Sequence, residues 1–159
     1  MTRILFICHG NICRSPMAEF IMKELVRKAG AEREFEIASA ATSCEELGNP
    51  VHRGTKRILD SLGLSCAGKT ARRMTKQDYL AYDYLIGMDH ENLQEMRRIA
   101  GGDPEGKLFL LLSFTGSSRG VADPWYTGDF KATYRDITAG CKALLTWLTT
   151  QAEKKTSKN

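Results

Sequence analysis

The segment Cys8-His9-Gly10-Asn11-Ile12-Cys13-Arg14-Ser15 places a thiol and a guanidinium at the two ends of a short loop, with Gly10 and Asn11 between them. Those residue types suit a nucleophile held inside an anion cradle. An apolar run, Ile4-Leu5-Phe6-Ile7, leads into Cys8, and Pro16 suits the first turn of a helix beginning near Ser15. A backbone curled between that strand and that helix turns several N–H groups inward, an arrangement that binds phosphate. The planar fork of Arg14 can grip two phosphate oxygens. Together with the N–H groups and the helix dipole it favours a thiolate at Cys8 at neutral pH. A buried strand-end cysteine followed by an ordinary Gly-Asn turn would use any one of these residues alone; Cys, Gly, Asn, Arg and Ser in this order at a strand-to-helix junction favour the cradle.

The elements that must position this loop follow from the hydrophobic pattern. Short apolar runs at Ile4–Cys8 and Phe35–Ala38, and longer ones at Tyr82–Met88 and Leu108–Phe114, read as strands. Between them Met17, Phe20, Ile21 and Leu25 repeat at helical spacing, as do Val51, Thr55, Ile58, Leu59 and Leu62. Asp89 reads as the N-cap of a helix over Leu93–Ala100 that Gly101-Gly102 closes, and Phe130–Gln151 reads as a long final helix. Alternating strand and helix predicts an α/β fold, a mostly parallel central sheet flanked by helices. Ligands bind such sheets at the carboxyl ends of the strands, which is where Cys8 falls.

A chain of 159 residues with 42% hydrophobic content suits one compact domain, expected over residues 1–150, with a frayed polar tail over 151–159. No apolar stretch is long enough to span a bilayer, and Ile4–Cys8 is too short, and too soon followed by Arg14 and Glu19, to be a signal peptide. These features, with an odd set of five cysteines, predict a cytoplasmic protein with no membrane partner. The formal charge of +4 is mildly basic. The pairs Arg27-Lys28, Arg72-Arg73 and Arg97-Arg98 lack interleaved aromatics, so nucleic acid is not the expected partner; a phosphorylated or acidic one fits better.

A second phosphate signature competes. Gly63-Leu64-Ser65-Cys66-Ala67-Gly68-Lys69-Thr70 matches the nucleotide-binding pattern G-x-x-x-x-G-K-[ST], and Tyr84–Asp89 resembles the strand that ends in a magnesium-holding acid, which makes a nucleoside triphosphatase the rival reading. That loop needs a buried strand before it and a helix directly after it. Residues 52–62 are instead charged and helically spaced, Gly63 reads as their C-cap, and the next helix is capped at Thr75.

Through Cys8-His9-Gly10-Asn11-Ile12-Cys13-Arg14-Ser15-Pro16 and the distant Asp123-Pro124-Trp125-Tyr126, the chain resembles the low-molecular-weight protein tyrosine phosphatases. Further matches are Ser39-Ala40-Ala41-Thr42-Ser43, Ala71-Arg72 and Met88-Asp89, so the likeness runs from about Thr2 to about Leu148. The resemblance implies hydrolysis of phosphotyrosine in a protein, or of a small aryl phosphate, through a phosphocysteine on Cys8 with no metal or other cofactor. Arg14 and the loop from His9 to Cys13 would hold the phosphate, and Asp123 would protonate the leaving oxygen and later activate water. Asp123 also suits the first position of an Asp-Pro turn, and the two roles are compatible. Ser15 can donate to the Cys8 sulfur or act as a plain N-cap. Asn11 would hold the loop through a network that includes Ser39. Cys13 is either a buried loop side chain or, as the family implies, the partner of a reversible disulfide with Cys8.

Two positions depart from the family pattern. Lys69 stands near the place of a histidine in the loop's support, and Glu45, followed by Glu46, stands where an aromatic often flanks the cleft. An acid there repels acidic phosphopeptides. Ile12, Trp125 and Tyr126 remain as apolar surfaces able to flank a phenyl ring, unless Trp125 and Tyr126 pack on the core. Relatives with nearly the same loop reduce arsenate or dephosphorylate arginine. The former carry cysteines near the third strand, absent from Leu85–Asp89, and the latter have threonine where Ile12 stands.

Overall fold

In the computed structural model, which describes residues 1–157, Ile4, Leu5, Phe6 and Ile7 have no exposed surface. A strand apolar at every position requires cover on both faces. It is β1 (Thr2–Cys8), an inner strand of a four-stranded sheet of order β2-β1-β3-β4, with β2 (Phe35–Ala41), β3 (Tyr84–Gly87) and β4 (Leu108–Leu110). Every neighbouring pair is parallel. Parallel strands need crossovers. Helix α1 (Arg14–Lys28) joins β1 to β2, α2 (Arg53–Ser61) and α3 (Lys76–Ala81) lie between β2 and β3, and α4 (His90–Ala100) joins β3 to β4. A single turn, α5 (Pro124–Thr127), precedes the long α6 (Phe130–Ser157). This is the expected single α/β domain, with the Cys8 loop directly after the first strand.

The period of two along β1 divides the core. Ile4 and Phe6, with Ile37 and Ile86, pack among Met17, Ile21 and Met22 of α1 and Ile137, Cys141 and Leu144 of α6. Leu5, Ile7 and Leu85 pack on the other face among Tyr79 of α3 and Met96 and Ala100 of α4. The expected caps are present: Asp89 accepts from the Asn92 N–H at the start of α4, Gly101 ends that helix at φ 78°, and Thr75 with Asp78 forms a capping box on α3.

Four boundaries differ from the sequence expectation. Strand β2 runs to Ala41 rather than Ala38, because Ser39, Ala40 and Ala41 pair with Phe6, Ile7 and Cys8 despite weak strand propensity. Strand β3 is confined to Tyr84–Gly87, since Tyr82 still caps the end of α3. The apolar run from Leu108 is a strand only to Leu110; Leu111–Thr115 form a 3₁₀ turn that buries Leu111 and Leu112 in the α6 side of the core. Helix α6 continues past Gln151 to Ser157, where the tail was expected to fray, and 152–157 are exposed.

Candidate active site

Between Cys8 at the end of β1 and Arg14 at the start of α1, the loop is held by its carbonyl groups. The His9 carbonyl accepts from the Ser43 N–H at 3.1 Å, that of Ile12 from the His52 N–H at 2.8 Å, and that of Cys13 from the Thr55 hydroxyl at 3.0 Å. In a planar trans peptide the following N–H points the opposite way. The N–H groups of Gly10, Cys13 and Arg14 are thereby turned away from these neighbours. Asn11 takes φ 58°, a left-handed conformation that Asn tolerates.

The Asn11 side chain ties the loop together from beneath. Its Oδ1 accepts from the Arg72 backbone N–H at 3.2 Å, and its Nδ2 donates to Ser15 Oγ at 2.8 Å and Ser39 Oγ at 2.9 Å. Ser15 Oγ lies 3.1 Å from Cys8 Sγ, with the Ser15 N–H 3.4 Å from the same sulfur. The sulfur is therefore met by two groups at the head of α1.

Arg14 is 2% exposed. Its Nη1 donates to Asp89 Oδ2 at 2.7 Å and to the Val121 carbonyl at 2.8 Å, and its Nη2 lies 3.4 Å from Asp123 Oδ2. Burial pulls its pKa down, but the charges of Cys8, Asp123 and Asp89 together with the Asp89 hydrogen bond outweigh that and raise it. Asp123 caps α5 by accepting the Trp125 N–H at 3.0 Å, so the turn role and proximity to Arg14 coexist. The segment carrying Asp123 docks through Gly120, where a Cβ would fall 2.9 Å from the Asp89 Cα.

Cys8, His9, Gly10, Ile12, Cys13, Arg14, Glu45, Asp123, Trp125 and Tyr126 line one cleft, joined by Glu46. The expected residues thus meet, except that Asn11 and Ser15 lie beneath the loop as its supports. Trp125 is 59% and Tyr126 85% exposed, so neither packs into the core; His52 stacks on Phe130 and meets Trp125 edge-on. His9 Nε2 lies 3.0 Å from Glu45 Oε2 at the rim. The Cys13 thiol is pushed up to about 12, by burial first and then by the charges of Cys8 and Asp123. All five cysteines are unpaired.

A family model for low molecular weight phosphotyrosine protein phosphatases matches residues 3–157. The chain belongs to this family.

Among low molecular weight phosphatases the chain is 42% identical to YfkJ of Bacillus subtilis over 147 residues, 91% of this chain and 94% of that protein. The YfkJ crystal structure superposes with a TM-score of 0.92, covering 95% of this chain and 96% of the other. The Gallus gallus low molecular weight phosphotyrosine protein phosphatase is 35% identical, over 89% of this chain and 92% of that one. The structure of a Drosophila arginine phosphatase superposes with a TM-score of 0.85 at 30% identity, covering 93% and 98%. The same fold therefore serves proteins named for two phosphorylated side chains.

In this member of the phosphatase family the competing segment Gly63–Thr70 lies in the wrong setting for a nucleotide loop. Gly63, at φ 72°, follows the end of α2, Thr70 bridges to Pro50, and the next helix begins only at Lys76. Lys69 Nζ is turned to the Ser39 carbonyl at 3.0 Å and lies 3.8 Å from Glu19.

Sequence reasoning read Asp89 as a helix cap, as part of a family match and, in the rival reading, as a magnesium-holding acid, but missed its contact with Arg14, 75 residues away. The signal available was an acid two residues after the end of the strand that pairs with β1. It also missed Glu91 and Glu95, which line a second cleft that shares His9, Arg14, Asp123 and Tyr126 with the first. No helix among the described residues is long and apolar enough to cross a membrane.

Proposed function

We propose that this chain hydrolyses phosphotyrosine through a phosphocysteine on Cys8. The observation that carries the reading is the meeting of the Cys8 sulfur and the Arg14 guanidinium, from the two ends of one loop, with the Asp123 carboxylate from a distant part of the chain in one cleft. Both hydrogens of Arg14 Nη1 are taken by Asp89 and Val121 and one of Nη2 reaches Asp123, which leaves Nε and the other Nη2 hydrogen for a grip on phosphate. The loop N–H groups receive the remaining oxygens. The Cys8 thiolate attacks phosphorus, the bond from phosphorus to the phenolic oxygen breaks, and Asp123 gives that oxygen its proton. Water then attacks the phosphocysteine, Asp123 takes its proton, and the sulfur leaves with a hydrogen bond from Ser15. The mechanism calls on no metal or cofactor.

Ile12 on the wall and Trp125 and Tyr126 at the mouth provide apolar surface for a phenyl ring. The branched aliphatic side chain of Ile12 favours phosphotyrosine over phosphoarginine. A phosphotyrosine protein or a small aryl phosphate is thus the substrate class, and the cytoplasm, which keeps Cys8 reduced, the suitable compartment. The test is turnover of para-nitrophenyl phosphate in EDTA by wild type and Cys8→Ser. Metal-free turnover that the substitution abolishes supports the reading, and turnover that survives it refutes the reading.

A further inference from the structure

Glu19 is a carboxylate 5% exposed beneath a loop built to hold an anion. Its position has a local electrostatic reason: Lys23 Nζ lies 2.7 Å from Oε2, and Lys69 Nζ 3.8 Å from Oε1. Burial lowers the pKa of Lys69 while the charge of Glu19 opposes that shift. The remaining contact of Oε1 is the Ser39 hydroxyl, at 2.6 Å.

From that contact the direction of every hydrogen bond up to the sulfur can be read. A carboxylate only accepts, so the Ser39 proton goes to Glu19 and its oxygen is left to accept from Asn11. The Asn11 amide cannot be turned over, because its Oδ1 faces a backbone N–H, that of Arg72, which can only donate. Nδ2 therefore gives one hydrogen to Ser39 and the other to Ser15. A thiolate has no proton to give, so toward an ionised Cys8 the Ser15 hydroxyl is the donor to Sγ at 3.1 Å, its alternative acceptor, the Ala40 carbonyl, lying at 3.5 Å.

Resting on the phosphatase reading, we propose that Glu19, held by Lys23 and Lys69, is a positioning residue. It fixes the Ser39 hydroxyl so that the chain through Asn11 and Ser15 ends in a donor to the Cys8 sulfur. Without Glu19 the Ser39 hydroxyl turns freely, Asn11 loses a fixed acceptor, and the Ser15 proton is shared between Cys8 and the Ala40 carbonyl. The effect reaches the thiolate but not the neutral thiol, because only the charged sulfur draws on a charge-assisted bond.

The experiment measures iodoacetate alkylation of Cys8, located by mass spectrometry, in wild type, Glu19→Met, Glu19→Asp, Ser39→Ala and the Glu19→Met/Ser39→Ala pair. Glu19→Asp keeps the charge near Lys23 but withdraws the carboxylate from Ser39, and serves where Glu19→Met does not fold. At about pH 6 the Glu19 variants should react about three- to tenfold more slowly, the scale of one weakened hydrogen bond. At about pH 9, above the ordinary value of about 8.5 for a thiol, they should match wild type within about twofold. The double variant should be no slower than Ser39→Ala alone, because both changes cut the same chain. An unchanged rate at the lower pH, an equal loss at both, or additive losses would overturn the proposal. Alkylation needs no phosphate ester, so wild-type turnover of para-nitrophenyl phosphate, measured alongside, separates failure of this proposal from failure of the phosphatase reading.

Discussion

The buried Ser15 hydroxyl lies 3.1 Å from the Cys8 sulfur, with its oxygen already accepting a hydrogen bond from Asn11. In the proposed mechanism its proton is directed at the atom that leaves phosphorus in the second half of the reaction. Ser15→Ala should therefore slow breakdown of the phosphocysteine about 10- to 100-fold, the range for a hydrogen bond to a charged group, and its formation by less. Stopped-flow release of para-nitrophenol checks this through a pronounced initial burst. Equal slowing of both steps would mean that Ser15 only caps α1.

Asp123 sits at the head of α5 with Oδ2 3.4 Å from Arg14, close enough for the guanidinium to orient it over the cleft. Asp123→Asn retains the cap but has no proton to give. It should lower kcat on phosphotyrosine peptides by about two to four orders of magnitude, and by less on aryl phosphates with good leaving groups. A leaving-group series on wild type and variant measures the difference in slope. Equal loss across the series would reduce Asp123 to a turn residue.

The Cys13 thiol, pushed up to about 12 chiefly by burial, makes stability fall in alkali. An unfolded thiol loses its proton near an ordinary value of about 8.5, whereas the folded one keeps it. Between the two values the unfolded state binds fewer protons, so the contribution is present in full below the unfolded value and is lost as pH rises. At about pH 10 the loss is about 2 kcal/mol. Cys13→Ala removes this part of the decline, which denaturant unfolding across the alkaline range measures. Identical pH slopes in both proteins would contradict it.

What was legible in the sequence was whatever chemistry and short-range geometry sufficed to specify. Cys8 to Pro16 carries its own strand-to-helix junction, and the alternation of apolar runs with helical repeats was enough for the parallel sheet. Glu19 was not legible: within α1 it reads as one more charged residue, and its burial depends on Ser39 and Lys69 arriving from two other segments. Asp89 was legible as a cap because capping is local, but not as the partner of Arg14. The run from Leu108 to Phe114 was misread because apolar residues at every position fit a strand and a buried 3₁₀ turn alike.

Glu45 and Glu46 bring two carboxylates to the mouth of the cleft, and His9 lies 3.0 Å from the first. Peptides with acidic residues beside phosphotyrosine should have lower kcat/KM than neutral or basic ones. Glu45→Trp should improve binding by about 1 kcal/mol through ring contact and relief of repulsion. A phosphopeptide panel on wild type, Glu45→Trp and Ile12→Thr measures this. Indifference to flanking charge in all three proteins, or a wild-type preference for phosphoarginine, would show that the mouth selects differently.

In the proposed reaction phosphate passes through the Cys8 sulfur. Rapid acid quench during turnover of a phosphotyrosine peptide, followed by tandem mass spectrometry of the segment from Ile7 to Met17, tests it most directly. A phosphoryl group is expected on Cys8 and none on Cys13 or Ser15, with its level raised in Ser15→Ala. Steady turnover with no covalent phosphate in either protein, or phosphate on any residue other than Cys8, would contradict it.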